Sequence, residues 1–254
     1  MSEIIANNKN FDNIKLVLFD KDGTLIDIHH YWVSMIKLRA ELLVKRYFND
    51  ANDEIKNKLV DLMGVNVRDN KMKPDGPVGI KPREFIVDIV TRFLIENKIN
   101  VSNNKIESLF KEVDESTEAD ILPLLSVLPN VRELLKSLKD CHIKIAIVST
   151  DITHRAIAAM RALKLDGFFD IIVGGDAVEK TKPSADLALH VMNKLNVSAN
   201  NSLVIGDHLV DFQMAQSAKI FANIGVLTGM SNKGAFLGEN IEIVDNLNSV
   251  KVKC

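Results

Sequence analysis

The chain lacks several features that place a sequence in a specialised class. Only two of its 254 residues are cysteines, Cys141 and Cys254. These are too few for a disulfide framework or a zinc cluster, so we expect two separate thiols in a reducing compartment. The formal net charge is −2, so the basic surface of a nucleic-acid-binding protein is missing. Charged residues interrupt every apolar run, and residues 1–15 have no apolar signal core. We therefore expect a cytoplasmic protein with no nucleic-acid or membrane partner.

The composition is that of a soluble globular protein, with 46% hydrophobic and 26% charged residues. From residue 129 onward, short runs rich in Ile, Val and Ala alternate with segments of helical periodicity. This region is predicted to contain strands at 143–150, 169–175, 201–207 and 220–227, and helices at 131–140, 154–165, 184–196 and 211–219. A first strand is predicted at 15–20. Strands separated by helices of this length predict an α/β fold, a doubly wound parallel sheet with helices on both faces.

The block between residues 29 and 128 has a different pattern, with no convincing strand. Helical spacing predicts helices at 32–47, 54–63, 82–97 and 103–118, with a polar loop rich in proline and glycine at 64–82. We therefore expect two domains. Residues 1–28 and 129–254 form a discontinuous Rossmann-like core, and residues 29–128 form an all-helical domain inserted into it.

The most informative segment is LVLFDKDGTLID at residues 16–27. An apolar run typical of a buried strand ends in two carboxylates, Asp20 and Asp22, followed by Gly-Thr. Two like charges this close raise one another's pKa unless a cation or a proton intervenes. Mg2+ prefers oxygen ligands, and open α/β sheets bind their ligands at the carboxyl ends of the strands. The segment therefore predicts a metal-assisted site at this strand end.

Other strand and loop ends carry polar residues as well. They are Ser149, Thr150 and Asp151 at the end of the strand predicted at 143–150, Lys180 and Lys182 in the loop EKTKPS, Asp207 at the end of the strand predicted at 201–207, and Asp211 four residues further on. Parallel strands bring these residues to one edge of the sheet. Carboxylates that hold a cation, together with an ammonium and a hydroxyl, suit the binding of a phosphoryl group. The two lysines are alternatives for one role, and the following Pro183 favours Lys182.

Phosphoryl transfer follows from these groups. Asp20, the last residue of the strand, is the better nucleophile, and its attack on phosphorus would form an aspartyl-phosphate. Asp22 is better placed to protonate the leaving oxygen and then to deprotonate the water that cleaves the intermediate. Gly23 permits the tight turn that this placement of Asp22 requires.

Four motifs, taken in order, resemble those of the haloacid dehalogenase superfamily of phosphatases. They are FDKDGTL, IVST, TKPS and GDHLVD, and their spacing covers nearly the whole chain. The helical block resembles the cap that many members insert after the first motif. Within the superfamily the chain is most similar to the phosphoglycolate phosphatase type, on the segments VGGD, KPS and VIGDHLVD.

The resemblance implies a role for each matching residue. Asp20 is then the nucleophile, Asp22 the general acid/base, Ser149 a ligand of the phosphoryl oxygen, and Lys182 the cation that stabilises phosphate and nucleophile. Mg2+ is the implied cofactor. Its ligands are implied to be Asp20, the backbone carbonyl of Asp22, Asp207 and Asp211, of which Asp211 ligates Mg2+ or orients its water. Contacts to the substrate or its phosphate are expected from Lys21, Gly23, Thr24 and Thr150. Thr150 stands where many relatives have Asn.

The sequence thus predicts a Mg2+-dependent phosphatase acting on a small phosphorylated metabolite, as a monomer or a homodimer. A sugar phosphomutase on the same scaffold is the first alternative, because its core motifs would be the same. A non-catalytic binding module that kept the fold is the second. In the helical block, Lys73, Lys81 and Arg83 are interpreted either as contacts to an anionic substrate or, with slightly more weight, as solvated surface.

Overall fold

A computed structural model describes residues 2–48, 52–73, 75–78, 81–118, 120–236 and 240–254. The chain forms two compact units. The first, Met1–Ile28 with Leu125–Cys254, is called the core unit here, and the second, His29–Leu124, the helical unit.

The described residues contain the following regular elements. The strands are β1 (Glu3–Ala6), β2 (Lys9–Asp12), β3 (Leu16–Phe19), β4 (Val65–Asn66), β5 (Lys71–Met72), β6 (Lys144–Val148), β7 (Ile171–Val173), β8 (Ser202–Gly206), β9 (Ala222–Val226), β10 (Glu242–Val244) and β11 (Val250–Lys253). The α-helices are α1 (Ile28–Tyr47), α2 (Asp53–Leu62), α3 (Arg83–Glu96), α4 (Asn103–Glu118), α5 (Val131–Asp140), α6 (Thr153–Ala162), α7 (Asp186–Leu195) and α8 (Leu209–Ser217).

A six-stranded parallel sheet forms the centre of the core unit, in the order β10-β9-β8-β3-β6-β7. All four residues of β3 are buried, as expected for a central strand covered on both faces. The register sets Phe19 beside Ile147 of β6 and Ile205 of β8. The carboxyl ends of three strands therefore lie side by side, and the predicted parallel sheet is confirmed.

Helices cover both faces of this sheet. Val17 of β3 belongs to a hydrophobic cluster that includes residues of α5 and α6, such as Leu135 and Met160. Its neighbour Leu18 belongs to another cluster, which includes residues of α7 and α8 such as Leu187. Because successive side chains of a strand point to opposite faces, the two clusters lie on opposite sides of the sheet. The doubly wound architecture is therefore confirmed.

The strand at 15–20 is not the first strand of the chain. An antiparallel hairpin, β1 and β2, precedes it and joins β11 in a three-stranded sheet of order β11-β1-β2. Asn7 occupies the turn with φ of 50°, a conformation that Asn tolerates better than most residues. Ile4, Ala6 and Phe11 are buried, so alternating apolar residues in this Asn-rich segment were the available signal.

The expectation of two separate thiols is wrong, because Cys141 and Cys254 form a disulfide bond. Cys141 follows α5 directly, and Cys254 follows β11. The bond joins residues 113 apart in sequence. It therefore ties the chain's last strand, and with it the three-stranded sheet, to α5.

The helical unit contains the four predicted helices, at bounds close to those expected. It is not all-helical, however, because β4 and β5 form a short antiparallel hairpin within the stretch predicted to be a loop at 64–82. Residues 74, 79 and 80 of that stretch lie outside the described residues. None of the helices in the described ranges combines the length and the apolar character needed to span a membrane.

Candidate active site

The carboxyl end of β3 places Asp20 among groups from other strand ends. Its backbone N–H donates to the carbonyl oxygen of Ile205, at 2.9 Å, so the pairing with β8 continues up to this residue. Its side chain is 13% exposed. A carboxylate at this depth needs polar partners, because burial disfavours its charged form.

Lys182 supplies the cation. Its Nζ lies 2.6 Å from Asp20 Oδ1 and 2.6 Å from Asp211 Oδ1, and its side chain is 1% exposed. The loop before α7 thus brings an ammonium between a carboxylate at the end of β3 and one on α8. Of the two lysines considered from the sequence, Lys182 lies at this position, while Lys180 is exposed and its backbone N–H donates to Asp186.

Three carboxylates converge on one point. One oxygen each from Asp20, Asp207 and Asp211 lies within 4.8 Å of the others. Asp207 follows β8, and Asp211 lies in the first turn of α8, where its Oδ2 accepts a hydrogen bond from the backbone N–H of His208 at 3.1 Å. His208 itself caps the helix, because its Nδ1 accepts from the N–H of Val210. A set made only of oxygen donors fits Mg2+.

Three carboxylates face one ammonium in this buried cluster, and the pKa of two of the carboxyls is raised. Burial raises the pKa of the Asp20 carboxyl, Lys182 opposes the rise, and Asp211 adds to it. Burial also raises the pKa of Asp207 well above its usual range, and the charges of Asp20 and Asp211 raise it further. Burial alone would lower the pKa of Lys182, but Asp20 and Asp211 raise it. A divalent cation would relieve this repulsion.

The turn after Asp20 positions Asp22. Gly23 has φ of +88°, and a Cβ there would lie 2.6 Å from Asp207 Cγ, so the turn requires glycine. Asp22 is paired with Lys21, whose Nζ lies 2.8 Å from Asp22 Oδ2 and 3.3 Å from Asp151 Oδ2. Burial raises the pKa of Asp22, although Lys21 opposes the rise. Lys21 therefore contacts two carboxylates, one of them the predicted acid/base.

The remaining predicted contacts are distributed around this centre. Ser149 is buried at the end of β6, and its Oγ accepts a hydrogen bond from the N–H of Asp151 at 3.1 Å. Thr24 is fully buried, with Oγ1 3.5 Å from Asp207 Oδ1. Thr150 is exposed. Thr24 is thus adjacent to Asp207, a predicted metal ligand.

One contribution was missed by sequence reasoning. The loop after β9 contacts the site, because Thr228 Oγ1 donates to the carbonyl oxygen of Gly23 at 2.6 Å and the N–H of Met230 donates to Asp207 Oδ2 at 3.1 Å. The loop follows a buried strand, and that position was the only available signal. Asp151, which the sequence placed at a strand end without a role, contacts Lys21 as described above.

In the helical unit, two of the three basic residues considered as substrate contacts have acidic partners. Lys73 Nζ lies 2.7 Å from Asp61 Oδ1. Arg83 contacts Asp114 and lies 2.8 Å from Glu107 Oε1. Lys81 is exposed. These pairs favour the interpretation of Lys73 and Arg83 as structural residues.

Comparison with known proteins agrees with the family resemblance of the four sequence motifs. A sequence model of the haloacid dehalogenase-like hydrolase family matches residues 17–224. The chain is 26% identical over 224 residues to a phosphorylated carbohydrates phosphatase of Thermotoga maritima, covering 88% of this chain and 90% of that protein. It is also 26% identical over 208 residues to a phosphoglycolate phosphatase of Aquifex aeolicus, covering 81% of each.

Solved structures show the same fold. A Thermotoga maritima protein described as a candidate beta-phosphoglucomutase superimposes with a TM-score of 0.65 at 25% identity, covering 91% of this chain and 94% of that chain. The matched region includes both units, so the likeness extends over nearly the whole chain.

Proposed function

The chain belongs to the haloacid dehalogenase-like hydrolase family, two relatives of which are named phosphatases, and we propose that it is a Mg2+-dependent phosphatase acting on a small phosphorylated metabolite. The observation that carries the proposal is the contact of Lys182 with both Asp20 and Asp211, beside Asp207. This arrangement offers a nucleophile, a buried cation and an oxygen-donor metal site at one strand edge.

In the first step, an oxygen of Asp20 attacks phosphorus and the bond to the leaving oxygen breaks. Asp22 donates its proton to that leaving oxygen, for which its raised pKa is favourable. Ser149 uses a lone pair of Oγ to accept from the N–H of Asp151, so its hydroxyl hydrogen stays available to a phosphoryl oxygen. The product of this step is an aspartyl-phosphate on Asp20.

In the second step, water attacks the phosphorus of the aspartyl-phosphate. Asp22, now a carboxylate, takes the proton of that water, and the bond between phosphorus and the Asp20 oxygen breaks. Inorganic phosphate leaves and Asp20 is restored. Lys182 stays in contact with Asp20 and offsets the charge that accumulates on phosphate and nucleophile.

Asp20, Asp207 and Asp211 would hold Mg2+ through their side chains, and Asp22 through its backbone carbonyl. When bound, Mg2+ offsets the repulsion between the anionic nucleophile and the anionic phosphate. The oxygen-only donor set and the raised pKa values of Asp20 and Asp207 support this assignment.

The relatives suggest which substrates to test first. One is named a phosphorylated carbohydrates phosphatase and another a phosphoglycolate phosphatase. We propose phosphorylated carbohydrates as the first class, with the helical unit acting as a cap that selects among them.

The test is phosphate release over a panel of sugar phosphates and phosphoglycolate, with and without Mg2+. We expect turnover of at least one substrate that is lost when Mg2+ is chelated. Asp20→Asn should lower turnover by on the order of a thousandfold or more, because an amide is a poor nucleophile. Asp140→Asn, at an exposed site at the end of α5, is the matched control and should turn over like the wild type. Wild-type turnover by Asp20→Asn would show that the nucleophile is assigned wrongly.

A sugar phosphomutase is the second candidate, favoured by the structural likeness to the described beta-phosphoglucomutase. Such an enzyme returns the phosphoryl group to a sugar instead of to water. Incubation with a sugar 1-phosphate distinguishes the two reactions. Isomer formation without phosphate release supports the mutase, and phosphate release supports the phosphatase. Absence of both, together with absence of Mg2+ binding, would support a non-catalytic binding module.

We propose a cytoplasmic location and a monomeric or homodimeric state for this enzyme. A disulfide is unusual in a reducing compartment, so the oxidation state of Cys141 and Cys254 is determined together with the location. Cell fractionation tests the location, and light scattering coupled to size-exclusion chromatography tests the assembly.

A further inference from the structure

The site has a contributor that the proposed mechanism does not use, the loop at residues 227–230 after β9. In the sheet β9 lies beside β8, with Gly225 opposite Gly206. The end of β9 is therefore adjacent to Asp207, which follows β8. We call residues 227–230 the β9 loop.

The β9 loop makes two hydrogen bonds to the site. Thr228 Oγ1 donates to the carbonyl oxygen of Gly23 at 2.6 Å. The N–H of Met230 donates to Asp207 Oδ2 at 3.1 Å. One bond thus fixes the turn that follows the nucleophile, and the other fixes one oxygen of a predicted metal ligand.

Asp207 is also confined sterically. A Cβ at Gly229 would lie 1.7 Å from Asp207 Oδ2, and a Cβ at Gly23 would lie 2.6 Å from Asp207 Cγ. Its other oxygen, Oδ1, faces Thr24 Oγ1 at 3.5 Å. The carboxylate therefore packs between two glycine backbones, and each oxygen has a neighbouring donor.

We infer that the β9 loop is a positioning element for cation binding, with Thr228 as the side chain that holds the Gly23 turn against Asp207. The inference rests on the proposed function, because it concerns the same cation site. Substitution of a group that orients a metal ligand typically weakens metal binding by about 10- to 100-fold. Thr228 acts on Asp207 through Gly23, so we expect an effect near the lower end of that range.

The test is Mg2+ binding to the full chain without substrate, measured by titration calorimetry. Thr228→Val keeps the side-chain shape and removes the hydroxyl, and should weaken Mg2+ binding roughly tenfold. Thr228→Ser keeps the hydroxyl and should bind within about twofold of the wild type. Thr228→Ala removes the same hydroxyl with less bulk and replaces Thr228→Val if that variant does not fold.

Thr91→Val is the matched control. Thr91 is a buried threonine of α3 whose hydroxyl donates to the carbonyl oxygen of Val87 at 2.9 Å, so this variant also loses a threonine-to-carbonyl bond, but in the helical unit. It should bind Mg2+ like the wild type.

In activity assays, Thr228→Val should need roughly tenfold more Mg2+ for half-maximal turnover and regain most of the wild-type kcat at saturating Mg2+.

Each outcome has a separate meaning. Unchanged Mg2+ affinity in Thr228→Val, or equal losses in Thr228→Ser and Thr228→Val, would overturn the inference while leaving the proposed function intact. A wild-type protein that does not bind Mg2+ would instead contradict the metal site of the proposed function, and the inference would fall with it.

Discussion

Lys182 combines a positive charge, burial and a central position in the candidate site. Its ammonium contacts Asp20 and Asp211, and its side chain is 1% exposed. Lys182→Met keeps the length of the side chain and removes the charge. We expect turnover to fall about 10²- to 10³-fold, because the developing phosphoryl charge loses its cation. We also expect stability to fall by about 3–5 kcal/mol, because two buried carboxylates lose their partner.

Steady-state kinetics and urea unfolding followed by far-UV circular dichroism measure the two effects. Lys180→Met is the matched control, since Lys180 is exposed only two residues away. It should change turnover by less than about twofold, as expected for a surface substitution. Equal behaviour of the two variants would contradict the role given to Lys182.

Some of the site residues could be placed from the sequence and others could not. Asp20 and Asp207 follow buried runs directly, so the topology of a parallel sheet brings them to one edge. Thr228 and Met230 follow a buried run too, but one contributes a hydroxyl that is common in turns and the other only a backbone N–H. A backbone donor has no residue signature, so only the three-dimensional register of β8 and β9 reveals it.

An ion cluster links three helices of the helical unit. Asp114 on α4 contacts Arg39 of α1 at 2.9 Å and also contacts Arg83 of α3. Arg39 is buried, with its guanidinium 4.7 Å from the centre of the Phe110 ring. Partial burial would raise the pKa of Asp114, but hydrogen bonds from Arg83 and Arg39 hold it below the ordinary value of 3.8. The charged form of Asp114 therefore stabilises the packing of these helices.

The sign of the pH dependence follows from that lowered pKa. Because the folded pKa lies below the unfolded one, the stabilisation is complete above about pH 4 to 5 and is lost as pH falls through the folded pKa. Asp114→Asn should destabilise the helical unit by about 1–2 kcal/mol at pH 7. This is less than for a fully buried pair, because the side chain is 34% exposed. The difference from wild type should shrink as pH falls below the ordinary value of 3.8 and approach zero once Asp114 is protonated in the folded protein.

Trp32 makes this measurable, because it is the only tryptophan of the chain and lies on α1. It packs against a cluster of the helical unit that includes Met35 and Val113. Urea unfolding followed by Trp32 fluorescence at several pH values gives the free energies. Glu96→Gln, at an exposed position at the end of α3, should not alter the pH dependence. A difference for Asp114→Asn that stays constant from pH 7 to pH 2 would refute the argument.

Among the helices and strands, the long elements could be predicted from the sequence and the shortest could not. The helix predicted at 103–118 is confirmed as α4, and the helix predicted at 131–140 is confirmed as α5, because each spans several turns of the hydrophobic period. The hairpin of β4 and β5 has two residues per strand, which is too short for any alternation to be recognised. Such strands depend on packing more than on local preference.

For the whole molecule, the doubly wound sheet could be predicted because its buried strands and amphipathic helices alternate regularly along the chain. The disulfide could not. Cys141 and Cys254 are 113 residues apart, and their meeting depends on β11 returning to pair with β1 at the other end of the chain. Local patterns carry no information about such a pairing.

The disulfide should stabilise the core unit alone, since both cysteines belong to it. A cross-link that closes so long a loop restricts the unfolded chain, and Cys254→Ser should lower the stability of the core unit by about 2–4 kcal/mol. Urea unfolding followed by far-UV circular dichroism should show this loss of stability. The unfolding transition followed by Trp32 fluorescence should be unchanged, because Trp32 and both tyrosines, Tyr31 and Tyr47, lie in the helical unit.

Dithiothreitol should reproduce the effect in the wild type and have no effect on a variant in which both cysteines are serine. Both predictions require that the native, unreduced protein expose no titratable thiol and that two appear after reduction and unfolding. Two thiols that react with Ellman's reagent before reduction would contradict the disulfide itself. The stability of the core unit would then depend on its hydrophobic clusters and on the pairing of β11 with β1 without any covalent closure, and Cys254→Ser would change it by less than about 0.5 kcal/mol, as for an ordinary exposed substitution.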